Sequence, residues 1–551
     1  MQVERTDVLE ILRQSHFFLG LSGEQLENVA DRAQIYLYDE NAVIFLQGGQ
    51  ADGFYFILRG EVKISRRHRE KEDVMRLGDR DYFGEESLLS QSLKRYATAT
   101  ALTEVLLICL KPEDIQELQK KFPSISAPMR MAVDSYLLAM STNMDWRLPD
   151  EVIHYITHRH WVFLGLKLLL VFLISGIFIS LFAYLYLIAS PGTVLPLILF
   201  ILSLVALLAG VAWMCIDWAN DFTVVTDRRV IKLEKVMLIY DSRQEVPLDA
   251  ILADDLRTDQ LGRMLGYGTI LVRTFTGVME LNRLGHPQLV INLINEIRDR
   301  KKFRRHNEQL HLIDQTILER VEHRPVQKKP PVSPEGVPVH VRPGPVQDYL
   351  SRLFALRIQE GNIITYRTHW IILLKKITVP SLLLLLLLIV VLLIWLNLIP
   401  LGSATGTWLA IIFGPLLGLW WLYRYVDWRN DRYIITPEMI SDVYRKPLGT
   451  EERKSAPIRN ILSIDYERKD IIGLIFNFGT VSIRVGDTTL TFNNVVNPAE
   501  VQRELFQYFM DFKKREEARL EQERHDQMAD WFERYHGYVK KESPEEPDLP
   551  A

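Results

Sequence analysis

The sequence predicts a multidomain α+β membrane protein. It would have an N-terminal β-roll (jelly-roll) with flanking helices, four transmembrane helices as two hairpins, and two small β-barrels each capped by a helix. Two long segments lack every charged residue, and the polar sequence after the first recurs after the second. The N-terminal region alternates apolar and polar residues between glycines, which is typical of strands. The net charge of −4 is too small to indicate nucleic acid as a partner.

The N-terminal region reads as helix, strands, a short helix and then strand and helix again. The strand pattern VIFLQGGQADGFYFILRGEVKISRR is broken by Gly48-Gly49 and Gly60. The stretch FGEESLLSQSLKRYATATAL follows at 83–102. The order of elements, and above all FGE followed by R-x-A-T, resembles the cyclic nucleotide-binding domain. This domain is shared by catabolite-activator-type regulators, kinase regulatory subunits and nucleotide-gated channels.

This resemblance implies a cyclic nucleotide (cAMP or cGMP) as ligand, with no obligatory cofactor and no metal. Gly84 would let the backbone approach the ligand, and amides opening the Glu86–Leu89 turn would point at the phosphate. Glu85 would accept the ribose hydroxyl, and Arg95 would pair with the phosphate through two hydrogen bonds. The expected nucleotide-binding residues are Phe83, Gly84, Glu85, Glu86, Ser87, Leu88, Arg95, Tyr96 and Ala97.

Two of these residues depart from the family pattern. Glu86 stands where the family usually has a hydrophobic residue, and a second carboxylate suits a phosphate site only if it points outward. Tyr96 is bulkier than the usual small residue and would crowd the pocket. A β-roll that kept its fold and lost its ligand is therefore the alternative to a nucleotide sensor.

The two uncharged segments run from Leu168 to Ile216 and from Ile377 to Tyr423. Each is about twice the ~20 residues that span a bilayer, and turn-forming residues interrupt each near its middle. Each segment therefore predicts a helical hairpin. Basic residues flank both hairpins on one side only, so the positive-inside rule places every soluble domain in the cytoplasm. We expect a multi-pass protein of the cell (inner, cytoplasmic) membrane.

The chain contains an internal repeat with an offset of about 210 residues. IDWANDFTVVT at 216–226 matches VDWRNDRYIIT at 426–436, and PLDAILADD at 247–255 matches PIRNILSID at 457–465. Each copy continues with alternating strand patterns and closes with a helix, which begins near Pro287 in the first copy and near Pro498 in the second. The repeat therefore predicts a duplicated unit that consists of a hairpin and a soluble domain.

The sequence motifs RRVI, PLDxI and LGRMLGYGTILVRT resemble those of the bacterial PH-like domains, a family also known as domain of unknown function 304. The resemblance implies a helix-capped β-barrel close to a membrane rather than an activity. Arg228, Arg229, Lys232 and Lys235 could form a patch for lipid headgroups, each worth about 1 kcal/mol near an anionic surface. A solvated strand edge beside a membrane gives the same residues and is the favoured interpretation.

These patterns set the domain boundaries. They are a cyclic nucleotide-binding domain at 8–140, hairpins at 161–216 and 370–425, PH-like domains at 217–300 and 426–510, a helical and proline-rich linker at 301–350 and a charged helical tail at 511–551.

No catalytic motif stands out, so we expect a non-enzymatic, cyclic-nucleotide-responsive regulatory membrane protein that acts as a signalling sensor or scaffold. A nucleotide-regulated channel or transporter, and a membrane scaffold with a degenerate nucleotide domain, are the alternatives. The expected partners are a cyclic nucleotide and membrane lipid, without nucleic acid. A homo-oligomer is compatible with the sequence, and any protein partner is left open.

Overall fold

The computed structural model describes residues 5–68, 71–89, 94–142, 144, 146–148, 150–188, 194–236, 239–275, 277–320, 356–396, 398–399, 401–447 and 449–542. Most of the predicted linker, the middle of the first hairpin and the end of the tail lie outside these residues. The strands of the N-terminal domain are β1 (Gln34–Tyr38), β2 (Val43–Phe45), β3 (Phe54–Arg59), β4 (Val62–His68), β5 (Lys71–Leu77), β6 (Tyr82–Phe83), β7 (Thr98–Ala101) and β8 (Val105–Leu110). Its helices are α1 (Arg5–Gln14), α2 (Gly23–Ala30), α3 (Glu86–Leu89), α4 (Pro112–Lys121) and α5 (Ser126–Ser141).

The N-terminal domain is a sandwich of two four-stranded sheets with the orders β1-β8-β3-β6 and β2-β7-β4-β5. Alternate residues of the strands fill its core, as the sequence pattern requires. Phe17 packs edge-on against Phe54, Phe56 and Tyr82, so the segment after α1 closes one side of the sandwich. The predicted N-terminal β fold with flanking helices is confirmed.

The remaining helices are α6 (Trp161–Ile188), α7 (Leu195–Ala219), α8 (Gln260–Leu265), α9 (Pro287–Arg320), α10 (Trp370–Trp395), α11 (Ser403–Asn430), α12 (Ile471–Ile475) and α13 (Pro498–Glu542). Four of them, α6, α7, α10 and α11, are long and apolar enough to cross a membrane. The pairs α6–α7 and α10–α11 pack side by side. An ion pair ties each pair together at one end, Lys167–Asp217 at 2.8 Å and Lys376–Asp427 at 2.8 Å.

The remaining strands are β9 (Ile153–His158), β10 (Phe222–Thr226), β11 (Arg229–Val236), β12 (Tyr240–Pro247), β13 (Ala253–Arg257), β14 (Tyr267–Thr274), β15 (Gly277–Gly285), β16 (Arg357–Glu360), β17 (Ile363–Arg367), β18 (Arg432–Ile435), β19 (Met439–Arg445), β20 (Glu451–Pro457), β21 (Ile461–Arg468), β22 (Phe478–Val485) and β23 (Thr488–Val496). We call β9–β15 with α6–α9 the first unit, and β16–β23 with α10–α13 the second unit. Each unit has its own buried core, which the start of its last helix completes.

Each pair of long apolar helices is inserted between two neighbouring strands of one sheet. In the first unit β9 leads into α6, and β10 follows α7 and pairs with β9. In the second unit β17 and β18 stand in the same relation to α10 and α11. The sequence-based boundaries 217–300 and 426–510 therefore omit strands that precede the membrane helices, because those boundaries followed the hydropathy break.

One continuous sheet joins the two units. Its seven strands have the order β23-β22-β21-β12-β11-β10-β9, so the seam between the units is the antiparallel pair β12–β21. Asp241 on β12 accepts a hydrogen bond at 2.7 Å from Arg468 on β21. Gln502 of α13 also spans the seam, because its side chain bonds both to Arg243 on β12 and to the Ile464 carbonyl on β21. The units are thus held by backbone pairing as well as by side chains.

A fully buried ion triad lies next to this seam. Arg229 contacts Glu151 at 2.7 Å and Glu245 at 2.6 Å, and all three side chains are completely buried. Lys232 pairs with Glu234 at 2.9 Å. Arg229 is therefore unavailable to a lipid headgroup, and the idea of a basic patch that includes it is wrong.

The N-terminal domain rests on the first unit through buried polar contacts. His16 contacts Glu296 of α9 at 2.8 Å, and Arg300 of α9 contacts Asp81 of the sandwich at 3.1 Å. A cavity of about 580 Å³ lies beside these contacts, and its lining mixes basic and acidic side chains from the sandwich, α9 and α13. It is separate from the loop that carries the predicted nucleotide-binding residues.

Candidate functional site

The predicted site is a tight turn between β6 and α3. Gly84 has a φ of +89°, a conformation that side chains rarely adopt. A Cβ atom at this position would lie 2.7 Å from Nη1 of Arg95 and 2.9 Å from the Gly53 carbonyl oxygen. Ser87 donates from its hydroxyl to the Gly84 carbonyl at 2.8 Å and so fixes the first turn of α3. Only glycine allows the chain to pass this close to the arginine.

Arg95 lies at the centre of the site, and 1% of its surface is exposed. Its Nη2 donates to Asp52 at 2.9 Å and to the Gly53 carbonyl at 2.7 Å. Its Nη1 donates to Glu86 at 3.2 Å and to the Gly84 carbonyl at 3.3 Å. Among the described residues its Nε has no hydrogen-bond acceptor. The guanidinium group is thus buried, and two carboxylates already balance its charge.

Glu86 points inward, at the arginine. Its carboxylate accepts hydrogen bonds from Arg95, from the Tyr96 amide at 3.3 Å and from the Tyr136 hydroxyl at 2.8 Å. The side chain is 4% exposed. The outward orientation that a phosphate beside Arg95 would favour is therefore not the one found. Glu86 acts as an internal counter-ion, and its contact with Tyr136 ties the loop to α5.

Glu85 lies beside Glu86 and is only partly exposed. Burial, together with the negative charge of Glu86, raises the pKa of Glu85 to about 7. The loop thus places Glu85, with its raised pKa, directly beside the carboxylate that is paired with Arg95.

Apolar side chains surround these charges. Phe83 stacks on Tyr55 with ring centroids 5.2 Å apart, and Leu88 packs against the core of the sandwich. Ala97 is buried, whereas Tyr96 is 40% exposed and its ring lies edge-on, 6.0 Å from that of Tyr136. Tyr96 therefore lies along α5 instead of filling the space beside Arg95.

Two contributors to the site were missed from the sequence. Asp52 follows a glycine-rich turn that is typical of an ordinary loop. Only its distance to Arg95 shows that it is a counter-ion of that arginine. Tyr136 lies in a helix that was recognised, but a tyrosine on an amphipathic helix is usually a packing residue. Neither residue has a sequence neighbour that would mark it as part of a charge network.

Helix α5 connects the site to the first pair of long apolar helices. The residue before Tyr136, Ser135, is buried, and its hydroxyl accepts the backbone amide of Ile156 on β9 at 2.8 Å. Leu138 packs with Ile156 in a small apolar cluster. Since β9 leads directly into α6, two side-chain links separate Glu86 from a helix that is long and apolar enough to cross a membrane.

Comparison with known proteins identifies the families of two segments. Residues 37–122 match the family model of the cyclic nucleotide-binding domain, and residues 371–509 match that of the bacterial PH domain. The chain carries both domains. The cyclic nucleotide-binding match contains Asp52 and the Gly84–Arg95 segment, but not Tyr136. The bacterial PH match takes in helices α10 and α11 together with the sheets that follow them.

The relatives match about a fifth of this chain. A cyclic AMP receptor protein of Thermus thermophilus is 30% identical over 117 residues, which are 21% of this chain and 54% of that protein. A cAMP-dependent protein kinase regulatory subunit of Debaryomyces hansenii is 32% identical over 101 residues, which are 18% of this chain and 22% of that protein.

Among solved structures, the regulatory domain of Toxoplasma gondii PKA in a co-crystal with cAMP is 24% identical. The match covers 26% of this chain and 53% of that chain, with a TM-score of 0.21. The chain spans about half the length of its cyclic AMP receptor relative, and less of others.

Proposed function

We propose that the protein is a non-enzymatic membrane regulator whose N-terminal domain senses a cyclic nucleotide and passes its state to membrane helices. The observation that carries the proposal is the buried Arg95 at the Gly84 turn, with Glu85 beside it. This arrangement offers a cation for a cyclic phosphate and an acceptor for a ribose hydroxyl. Two of the relatives, a cyclic AMP receptor protein and a cAMP-dependent protein kinase regulatory subunit, are named for cyclic AMP, which makes cAMP the first ligand to test.

In this proposal the nucleotide displaces the Glu86 carboxylate from Arg95. A cyclic phosphate that binds Arg95 takes the position of the Glu86 carboxylate, because both anions need the same Nη1 hydrogen. Glu86 then loses its counter-ion and turns away, and Tyr136 loses its acceptor. Binding of nucleotide is thus coupled to release of α5 from the loop.

The released helix acts on the membrane through β9. Ser135 and Tyr136 are neighbours on α5, so a rotation that frees Tyr136 also shifts the hydroxyl that holds the Ile156 amide. A difference in affinity of roughly 10–100-fold between the two helix positions is enough for useful coupling. The four apolar helices would then cross the inner membrane as two hairpins, with all soluble domains in the cytoplasm, as the flanking basic residues favour.

The test is a titration of the full chain in nanodiscs with cAMP and with cGMP, followed by calorimetry. We expect binding of at least one nucleotide in the micromolar range, loss of binding in Arg95→Ala, and retention in Arg130→Ala, which removes an exposed arginine of α5. Hydrogen exchange should report faster exchange in α5 and β9 when nucleotide is bound.

Absence of binding by both nucleotides would refute the proposal. It would favour a degenerate domain in which Glu86 and Asp52 permanently neutralise Arg95, with the chain serving as a membrane scaffold. Nucleotide-dependent ion flux in vesicles would instead assign the output to a channel.

A further inference from the structure

The seam between the two units leaves the outer edge of two other strands without a paired strand in the described part of the chain. The seam pairs β12 of the first unit with β21 of the second. Their counterparts in the repeat are β20 of the second unit and β13 of the first, each an outer strand of its sheet. Among the described residues neither has a backbone ladder on its outer side. The seam is therefore heterologous, since one complementary pair of surfaces is used and the equivalent pair is free.

The repeat fixes the register in which the free strands would pair. At the seam Ser242 lies opposite Glu467, and Gln244 lies opposite Asp465. A shift by the repeat offset brings Glu452 of β20 opposite Arg257 of β13, and Lys454 opposite Asp255. The two residues of each new pair have opposite charge, whereas the corresponding seam pairs, Ser242–Glu467 and Gln244–Asp465, do not. Residues directly opposite on antiparallel strands point to the same side of the sheet, so each pair can form an ion pair.

The side chains of these residues are placed to accept a partner. Glu452 and Lys454 are exposed, and so is Arg257. Asp255 already contacts Arg273 within its own sheet, and Lys454 of a partner strand would extend that pair.

A second, independent observation comes from the next residue, Asp254. Both of its carboxylate oxygens are buried and accept no hydrogen bond among the described residues, and the nearest cation, Arg298, is 3.8 Å away. A buried carboxylate without hydrogen bonds is costly. In the register given by the repeat, Ser455 lies opposite Asp254 and Arg453 lies diagonally across. A β20 strand beside β13 would therefore supply the donors that this carboxylate lacks.

We propose that β20 of one copy of this chain pairs with β13 of a second copy and repeats, between molecules, the seam found within each molecule. The contact is head-to-tail, so every copy contributes its β20 edge to one neighbour and its β13 edge to the other. Because all copies are held in one bilayer, successive copies are related by a rotation about the membrane normal, and such head-to-tail contacts form a ring where that rotation closes. This assembly does not depend on nucleotide binding.

The test uses charge reversal of each edge in the full chain in detergent or nanodiscs. One variant carries Glu452→Lys and Lys454→Glu, and the other carries Asp255→Lys and Arg257→Glu. Each alone should associate with itself about ten-fold more weakly than the parent, because two attractive pairs become repulsive. An equimolar mixture should regain assembly in even-numbered species, since each reversed edge meets its complement. Mass photometry measures the species formed, and far-ultraviolet circular dichroism checks that each variant is folded.

A chain with all four changes provides the rescue, because both edges are reversed together and match again. Cross-linking adds a position-specific readout. Chains with Glu452→Cys mixed with chains with Arg257→Cys should form a disulfide between molecules, in a background where the exposed Cys215 is replaced by serine. A monomeric parent, a mixture that stays dissociated, or self-association that depends on only one of the two edges would overturn the proposal.

Discussion

Replacement of Glu86 by glutamine isolates the competition between this side chain and a nucleotide. Glutamine keeps the length of the side chain and an oxygen that can accept from Tyr136. It removes the negative charge that Arg95 now faces. If a cyclic phosphate must displace this charge, the variant should bind nucleotide more tightly than the parent.

The structure sets the size of the effect. Glu86 and Arg95 lie 3.2 Å apart, and two unit charges at this distance attract by about 5 kcal/mol at an effective dielectric constant of about 20. Hydration of the released carboxylate and the remaining charge of Asp52 offset more than half of this attraction. About 2 kcal/mol is left, which corresponds to a Kd lowered by about 30-fold.

Calorimetric titration of the full chain with cAMP and cGMP measures this change. Asp52→Asn is the matched control, because Asp52 contacts the same guanidinium group but its side chain is 67% exposed. Solvent screens an exposed charge, so this variant should shift the Kd by less than about five-fold. Tyr136→Phe should fall between the two, since it weakens the hold on Glu86 without removing the charge.

An unchanged affinity in Glu86→Gln, with binding still lost in Arg95→Ala, would refute the competition. Weaker binding in Glu86→Gln would mean that the Glu86 carboxylate itself contacts the nucleotide, as the sequence-based list of binding residues supposed.

Three further predictions concern stability. Arg229→Met should lower the free energy of unfolding by about 3–5 kcal/mol, because Glu151 stays buried without a cation and Glu245 keeps only Arg243; a loss as small as that of Arg228→Ala in thermal melting would contradict this. Lys376→Met should destabilise the protein by about 1–2 kcal/mol, and adding Asp427→Asn should restore most of it; no recovery in the double variant would argue against the pair. Between pH 4.5 and about 7 the folded state holds the Glu85 proton more tightly than the unfolded chain does, so the free energy of unfolding should fall as pH rises, by at most about 3 kcal/mol. Melting curves from pH 4.5 to 8 measure this dependence, and Glu85→Gln should make it flatter. An identical dependence in the variant would refute the prediction.

Local pattern was enough to predict the frame of the site. FGE and R-x-A-T predicted that the glycine turn and Arg95 lie together, and Nη1 of Arg95 donates to the Gly84 carbonyl. The direction of Glu86 was beyond such reasoning. Its inward orientation depends on Tyr136, which is 50 residues away along the sequence and on another helix.

In the repeated units, too, local sequence pattern predicted some elements and contacts between distant segments decided the others. Hydropathy was enough to predict four membrane helices, because charge is absent over whole segments. The strands IHYITH and IITYR before the helices are short and half-buried, and they become recognisable only through their partners β10 and β18. Pairing of β12 with β21 was not predictable either, since it depends on which of several strand edges meet in space.

The insertion of each helix pair between two paired strands has a consequence for how the chain is made. During synthesis β9 emerges first, and its partner β10 emerges only after α6 and α7 have been completed. The edge of β9 towards β10 therefore stays unpaired until both helices have left the ribosome. In the proposed membrane protein, pairing of β10 with β9 would follow insertion of α6 and α7, and a chain that failed to insert would keep an unpaired strand that proteases and chaperones can recognise.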